Sequence, residues 1–186
     1  MIIKRICDIC FGIFALLLLL PFLLFVFIIL TIITKGHPFF IQKRVGRNGK
    51  IFLIYKFRTL KSDTPEYVDI ATLNLIEHET KFGGILRRFG LDELPQLINI
   101  IKGDMSFIGP RPLIPSDSIN LFRHMSGVDK MRPGLSGLAQ IHGGNQIDYF
   151  LKFMYDAYYV SHWSIKLDLK IIWKTILFIL DSKNSV

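Results

Sequence analysis

Acidic residues are missing from most of the first third of this chain: none occurs between Asp8 and Asp63. The same stretch carries Lys35, Lys43, Arg44, Arg47, Lys50, Lys56, Arg58 and Lys61, and the 186 residues together have a formal charge of +8. A surplus of that sign points to anionic partners, namely lipid headgroups, phosphorylated substrates or nucleic acid. Nucleic acid is set aside, because no nucleic-acid-binding signature accompanies the basic stretch. Cysteine is nearly absent. Cys7 and Cys10 form one C-x-x-C with no second pair, so they read as two small apolar side chains on a helix face and not as a metal or redox motif. The five histidines make no H-E-x-x-H and "GLSG" lacks the G-x-S-x-G spacing, which removes zinc peptidases and serine hydrolases. No repeats or low-complexity tracts occur, and no small-residue cleavage site follows the first apolar run, so that run is not a secretory signal.

That run is the dominant feature present. Ile9 to Thr34 contains no charge and is built of Leu, Ile and Phe. As a helix its 26 residues reach about 39 Å, more than the ~30 Å hydrocarbon core requires. Lys4 and Arg5 lie before it and the eight cations named above lie after it, so both flanks call for the cytoplasmic side. Pro21, near the middle, removes a helix hydrogen bond and bends the axis. Two dispositions meet these facts: a kinked span anchored by the heavier C-terminal charge, and a re-entrant helix that turns at Leu20-Pro21 and leaves on its side of entry. The residues by themselves lean to the span, since proline is common in membrane helices.

Beyond it, "FFIQKRVGRNGKIFLIYKFRTL" reads as a β-hairpin turning at Asn48-Gly49. Residues 61–80 are polar and read as a surface loop with a short helix. "LDELPQLINII" reads as a helix with Leu91, Leu94, Ile98 and Ile101 on one stripe, Pro95 in its first turn and Asp92 at or beside its N-cap. "GDMSFIGPRPLIP" and "MRPGLSGLAQIHGGN" read as loops. "SIKLDLKIIWKTILFIL" places Lys166, Lys170 and Lys174 at helical spacing, fitting either a membrane-interface helix or a core helix with one wet edge.

Asp92 and Glu93 are the candidate chemistry. Neighbours on a helix point ~100° apart and cannot face each other across a glycosidic bond. What remains is a carboxylate at a helix N-terminus among cations, a place that keeps an acid ionised and attracts phosphate. An aspartyl-phosphate nucleophile fits that setting, and a solvated capping aspartate fits it too.

"KFGGILRRFGLDELPQLINIIKGDMSFIGPRP", with "KRICD", "YKFRTL", "MRPGLSGLAQIHGGN" and "LDLKI", resembles the bacterial sugar transferase family, the monotopic phosphoglycosyl transferases. The resemblance covers essentially the whole chain, and the length matches the family's minimal members. It implies an α+β fold: a re-entrant membrane helix over 1–36 broken at Leu20-Pro21, then a mostly helical cytoplasmic domain over 37–181 with a β-hairpin and interfacial amphipathic helices, and a tail over 182–186. It implies transfer of a sugar 1-phosphate from a UDP-sugar to polyprenyl (undecaprenyl) phosphate at the cytoplasmic face of the inner membrane, with release of UMP. By motif, Asp92 is the nucleophile and a Mg²⁺ ligand, Glu93 its base or electrostatic partner, and Arg58, Arg87 and Arg111 hold phosphate. Anionic lipid is an implied partner, and a second copy of the chain a possible one. Two departures stand out: Leu20 where the family often has serine, and Gly144 where many members have arginine. An inactive homologue acting as a scaffold is the alternative, against which the intact carboxylate pair argues.

Overall fold

A computed structural model describes residues 2–61, 64, 78–144 and 147–180. Most of the loop expected over 61–80, Asn145 and the tail over 182–186 lie outside the described residues. The protein is α+β, a long apolar helix against a small, mostly helical domain that carries a β-hairpin.

Helix α1 (Ile2–Ile33) is continuous for 32 residues, about 48 Å, and Pro21 lies inside it without interrupting it. The break expected at Leu20-Pro21 is therefore not a gap in the helix here. Proline's missing N–H leaves one carbonyl of the preceding turn unbonded, and the flanking leucines continue the helix. One stripe of α1 packs on the domain along its length. Lys4 pairs with Asp168 at 2.6 Å, and Arg5 donates to the carbonyls of Ile100 (2.5 Å) and Ile101 (2.7 Å). Buried Asp8 accepts from Ser106 Oγ at 3.0 Å and the Phe107 amide at 3.2 Å. Farther along, Ala15, Leu16 and Leu19 meet the cluster of Ile54, Leu97, Ile100 and Met105, and Val26 and Leu30 join Phe57 and Leu86. The other faces of α1, rich in Leu, Ile and Phe, are exposed.

Strands β1 (Phe39–Val45) and β2 (Ile51–Phe57) pair antiparallel from Phe39↔Phe57 to Val45↔Ile51. Asn48 (φ 55°) and Gly49 (φ 74°) occupy the left-handed region, and the Lys50 amide bonds the Arg47 carbonyl at 3.2 Å, so the expected turn is present. Helix α2 (Lys81–Arg88) starts on Thr80, whose hydroxyl accepts from the Gly83 amide at 2.9 Å. Gly83 is required there because a Cβ would stand 2.2 Å from the Thr59 carbonyl.

The sequence "LDELPQLINII" divides into a 3₁₀ segment, Leu91–Gln96, and helix α3 (Leu97–Lys102), which stops at left-handed Gly103. The expected stripe is corrected: Leu97 and Ile100 are the buried positions and Ile98 is 42% exposed, because the change of pitch at Pro95 rotates the inward face. The two segments read as loops supply a parallel strand pair, β3 (Ser106–Ile108) and β4 (Gly134–Ser136). Helix α4 (Ile119–Met125) follows, and helix α5 (Tyr149–Ser161, capped by Asp148) packs Tyr155, Tyr159 and Val160 into the cluster of Ile108, Met131 and Leu138.

Helix α6 (Ile165–Leu180) is not the core helix with one wet edge. Ile171 is buried, while Ile165, Leu169, Ile172, Trp173, Ile176 and Leu177 form a broad exposed apolar face flanked by Lys166 and Lys170. A core helix with one wet edge would bury most of those side chains.

The Arg5 bonds supply a donor to the Ile101 carbonyl at the end of α3 and a second donor to that of Ile100, which also accepts from the Gly103 amide at 3.1 Å. Arg5→Met should therefore lower the stability of the detergent-solubilised protein by about 1.5–3 kcal/mol, the range for hydrogen bonds from a charged group. Chemical denaturation followed by tryptophan fluorescence measures it, and an unchanged midpoint would dismiss the bond as decoration.

Candidate active site

The 3₁₀ segment that carries Asp92 and Glu93 begins at Gly90, which takes a left-handed φ of 66° and turns the chain out of α2. Asp92 is the second residue of that segment, not a cap, and is 8% exposed. Burial pushes its carboxyl above the ordinary carboxylate range; Lys56 pulls it back, Glu93 pushes it further up, and Arg87 again pulls down. Desolvation thus outweighs the favourable charges around Asp92, and the helix terminus does not set the direction of its shift by itself. Glu93 behaves oppositely. Burial acts to raise its carboxyl, but Lys56 and then Arg111 outweigh burial and hold it below the usual range. The Lys56 ammonium lies 2.5 Å from Glu93 Oε1.

The predicted arginines separate into two groups. Arg87, in the last turn of α2, donates to Thr59 Oγ1 at 2.7 Å, pairs with Glu79 at 3.1 Å and acts on Asp92. Arg111 follows β3 between two prolines, and its guanidinium acts on Glu93. Its loop is held from three sides: Arg123 donates to the Arg111 carbonyl at 2.8 Å, the Val45 amide to Leu113 at 2.8 Å, and the Gly134 amide to Pro110 at 2.9 Å. Arg58 stands apart. Its backbone bonds Pro38, and its Nε is buried without a partner, with no ion pair to either carboxylate among the described residues.

Sequence reasoning missed Lys56 and Arg44. Lys56 is in the quoted "YKFRTL" and shares the hairpin's inner face with Arg44, since Phe40↔Lys56 and Arg44↔Phe52 are cross-strand pairs. Burial and the Arg111 charge lower the Arg44 pKa to about 10, against Glu93 and Asp117, which raise it. Two carboxylates thus sit among Arg44, Lys56, Arg87 and Arg111, a cationic surround suited to two phosphates. A cavity of about 390 Å³ lies beneath the hairpin turn beside Val45, Ile51, Gly49 and Met131, and neither carboxylate lines it. Among the described residues no three His, Cys, Asp or Glu side chains cluster as a metal cage. A hard cation that takes one or two carboxylates and fills its shell with phosphate oxygens and water fits Asp92 and its neighbour.

A sequence model described as "Bacterial sugar transferase" matches residues 1–182. The uncharacterized sugar transferase EpsL of Bacillus subtilis is 40% identical over 190 residues, covering 99% of this chain and 90% of that protein. The undecaprenyl-phosphate galactose phosphotransferase of Salmonella typhimurium is 34% identical, covering 93% of this chain and 39% of the longer protein. The UDP-N-acetylgalactosamine-undecaprenyl-phosphate N-acetylgalactosaminephosphotransferase of Aeromonas hydrophila is 35% identical, covering 96% and 44%. The chain spans about two fifths of those last two proteins.

Because Lys56 is the leading charge that holds Glu93 ionised, Lys56→Met should raise the Glu93 pKa. Carbon-detected NMR of ¹³C-labelled glutamate reads this directly, and a carboxyl that titrates unchanged would assign the depression to Arg111 alone.

Proposed function

We propose a function from one premise: the chain belongs to the bacterial sugar transferase family. The reaction is transfer of a sugar 1-phosphate from a UDP-sugar to a polyprenyl phosphate, and the observation that carries it is a buried aspartate in the field of Lys56 and Arg87, next to a glutamate in the field of Lys56 and Arg111. A carboxylate oxygen of Asp92 attacks the β-phosphorus of the donor, and the bond from that phosphorus to the bridging oxygen breaks. The electron pair leaves on UMP, and the sugar phosphate remains on Asp92 as an acyl phosphate. An oxygen of the polyprenyl phosphate then attacks the same phosphorus, breaks the bond to Asp92 and restores the carboxylate.

Each side chain has a part in this scheme. Burial leaves Asp92 poorly hydrated, which makes its ionised form a stronger nucleophile. Arg111 and Arg87 approach the carboxylates from different elements and are placed to share the oxygens of a diphosphate. Glu93, held ionised against Lys56, serves as the electrostatic partner that keeps this lysine in the site, a role its lowered pKa favours over that of a base. Mg²⁺ belongs to the proposal, with Asp92 as its protein ligand and charge neutralisation on the diphosphate as its contribution.

The membrane arrangement is part of the same reading. Lys4, Arg5 and Asp8 at one end of α1, and Val26 and Leu30 near the other, contact one domain. A domain on one side of a bilayer cannot hold both ends of a spanning helix. This supports a helix that enters and leaves on the cytoplasmic face, with the exposed apolar faces of α1 and α6 in lipid.

Asp92→Asn keeps the side chain's size and removes its nucleophilicity. It should abolish UMP release from a pool of UDP-sugars and the phosphosugar adduct on the protein, with membrane binding intact. Near-normal turnover would discard Asp92 as nucleophile, and no UMP release by the unaltered protein from any UDP-sugar would favour the scaffold. Topology has its own test. Single cysteines at positions 2 and 38, in a background lacking Cys7 and Cys10, should both react only with reagent applied from the cytoplasmic side. Labelling of position 2 from outside would establish a span.

A further inference from the structure

Three buried polar atoms without partners belong to two residues that line one cleft together with Arg111: Oδ1 of Asp156 and both amide atoms of Gln140. Asp156, on α5, is 3% exposed. Its other oxygen takes the Arg123 guanidinium at 2.5 Å, and Arg123 in turn donates to the Arg111 carbonyl. The cleft wall is therefore tied to the arginine that acts on Glu93. Gln140 follows Gly137, where a Cβ would stand 2.7 Å from Gln140 Oε1, so the glycine leaves the amide its place. Lys152 also lines the cleft, and its pKa is lowered by burial and by Arg111.

A buried amide without partners costs about 1–3 kcal/mol for each group left unbonded, and native proteins rarely leave several together. The cleft therefore awaits a ligand with a defined pattern. It must offer a donor beside an acceptor to the Gln140 amide, a hydroxyl to Asp156 Oδ1, and negative charge to Arg111 and Lys152. Resting on the reading that the donor is a UDP-sugar, we propose that this cleft is the subsite for the donor's uridine. Gln140 pairs with the N3–H and an adjacent carbonyl of uracil, and Asp156 accepts from a ribose hydroxyl. Arg111, common to the cleft and the carboxylates, then lies where the diphosphate passes from one to the other. The free space at the floor is narrow, about 20 Å³, and the outer wall is side chain: Lys152 lies 5.0 Å over the ring of Tyr149. Entry of a base therefore requires Lys152 and Tyr149 to move outward.

The test is equilibrium binding of UMP and of N3-methyl-UMP, which lacks the imide proton, to the full protein in detergent. The unaltered protein should prefer UMP by about tenfold, the yield of one lost bond plus an unpaired amide. Gln140→Ala should weaken UMP and bring the two ligands level, whereas a merely structural role for Gln140 would weaken both equally and overturn the assignment. Equal affinity of the unaltered protein for the two ligands overturns it without recourse to any variant. UMP release from UDP-sugars, measured in parallel, keeps the two readings separate. Release with no imide preference refutes this subsite alone, and an imide preference without transfer leaves the subsite standing while the reaction fails.

Discussion

The carbonyls that end the helix behind Asp92 are bonded by a side chain of the apolar helix, and this contact makes the two one mechanical unit. Arg5 reaches Ile100 and Ile101, and about two turns later Gly12 lets Ile101 approach so closely that a Cβ there would lie 3.2 Å from its side chain. Between those points Asp8 bonds the first residues of β3. An arginine in an apolar helix would be costly in lipid. Turned toward the carbonyls of Ile100 and Ile101, it instead closes the helix terminus that supports the carboxylates. The depth of the site relative to α1 is set by these bonds rather than by a linker.

The adjacent carboxylates then show how far one contact can divide two neighbours. Asp92 and Glu93 share a segment, its amides and much of its burial, and their pKa values move in opposite directions. Glu93 touches Lys56 directly and lies in the field of Arg111, so charge outweighs desolvation. Asp92 feels Lys56 and Arg87 only at longer range, so desolvation prevails. Environments that push two acids apart are the usual means of giving them different tasks. The 3₁₀ pitch contributes, because at ~120° per residue consecutive side chains diverge more than on an α-helix.

What the sequence disclosed follows the range of the interactions involved. The hairpin was legible because Asn48-Gly49 specifies its turn locally, and the carboxylates because their string is unusual. Lys56 was visible in "YKFRTL" but passed over for Arg58, two residues on: strand alternation puts both on one face, and only the position of the 3₁₀ segment decides which one meets Glu93. The β3–β4 pair was hidden because parallel pairing joins segments 28 residues apart, Ser106 with Gly134, with no local turn to announce it. Its glycines carry the signal in retrospect. A Cβ on Gly134 would lie 2.1 Å from the Gly109 amide nitrogen, so these loops need glycine for close approach rather than for flexibility. Asp156 and Gln140 had no sequence signal, since an unpartnered atom is a property of its surroundings.

Asp168 extends the mechanical argument to the second apolar helix. Its carboxylate accepts from Lys4 of α1 at 2.6 Å, from the Tyr159 hydroxyl of α5 at 2.7 Å and from the Trp163 indole at 3.2 Å. Three donors from separate parts of the chain are thereby satisfied on one carboxylate. The exposed apolar faces of α1 and α6 cannot rotate independently while this knot holds. Two amphipathic helices locked together define a plane more firmly than either alone, and the carboxylates are fixed to one of them through Arg5. In the proposed reaction the acceptor's phosphate is confined to the headgroup layer by its polyprenyl tail, so a site rigidly referenced to that layer meets it without a search in depth. Breaking the Asp168 knot would loosen that reference while leaving the carboxylates and their cations in place.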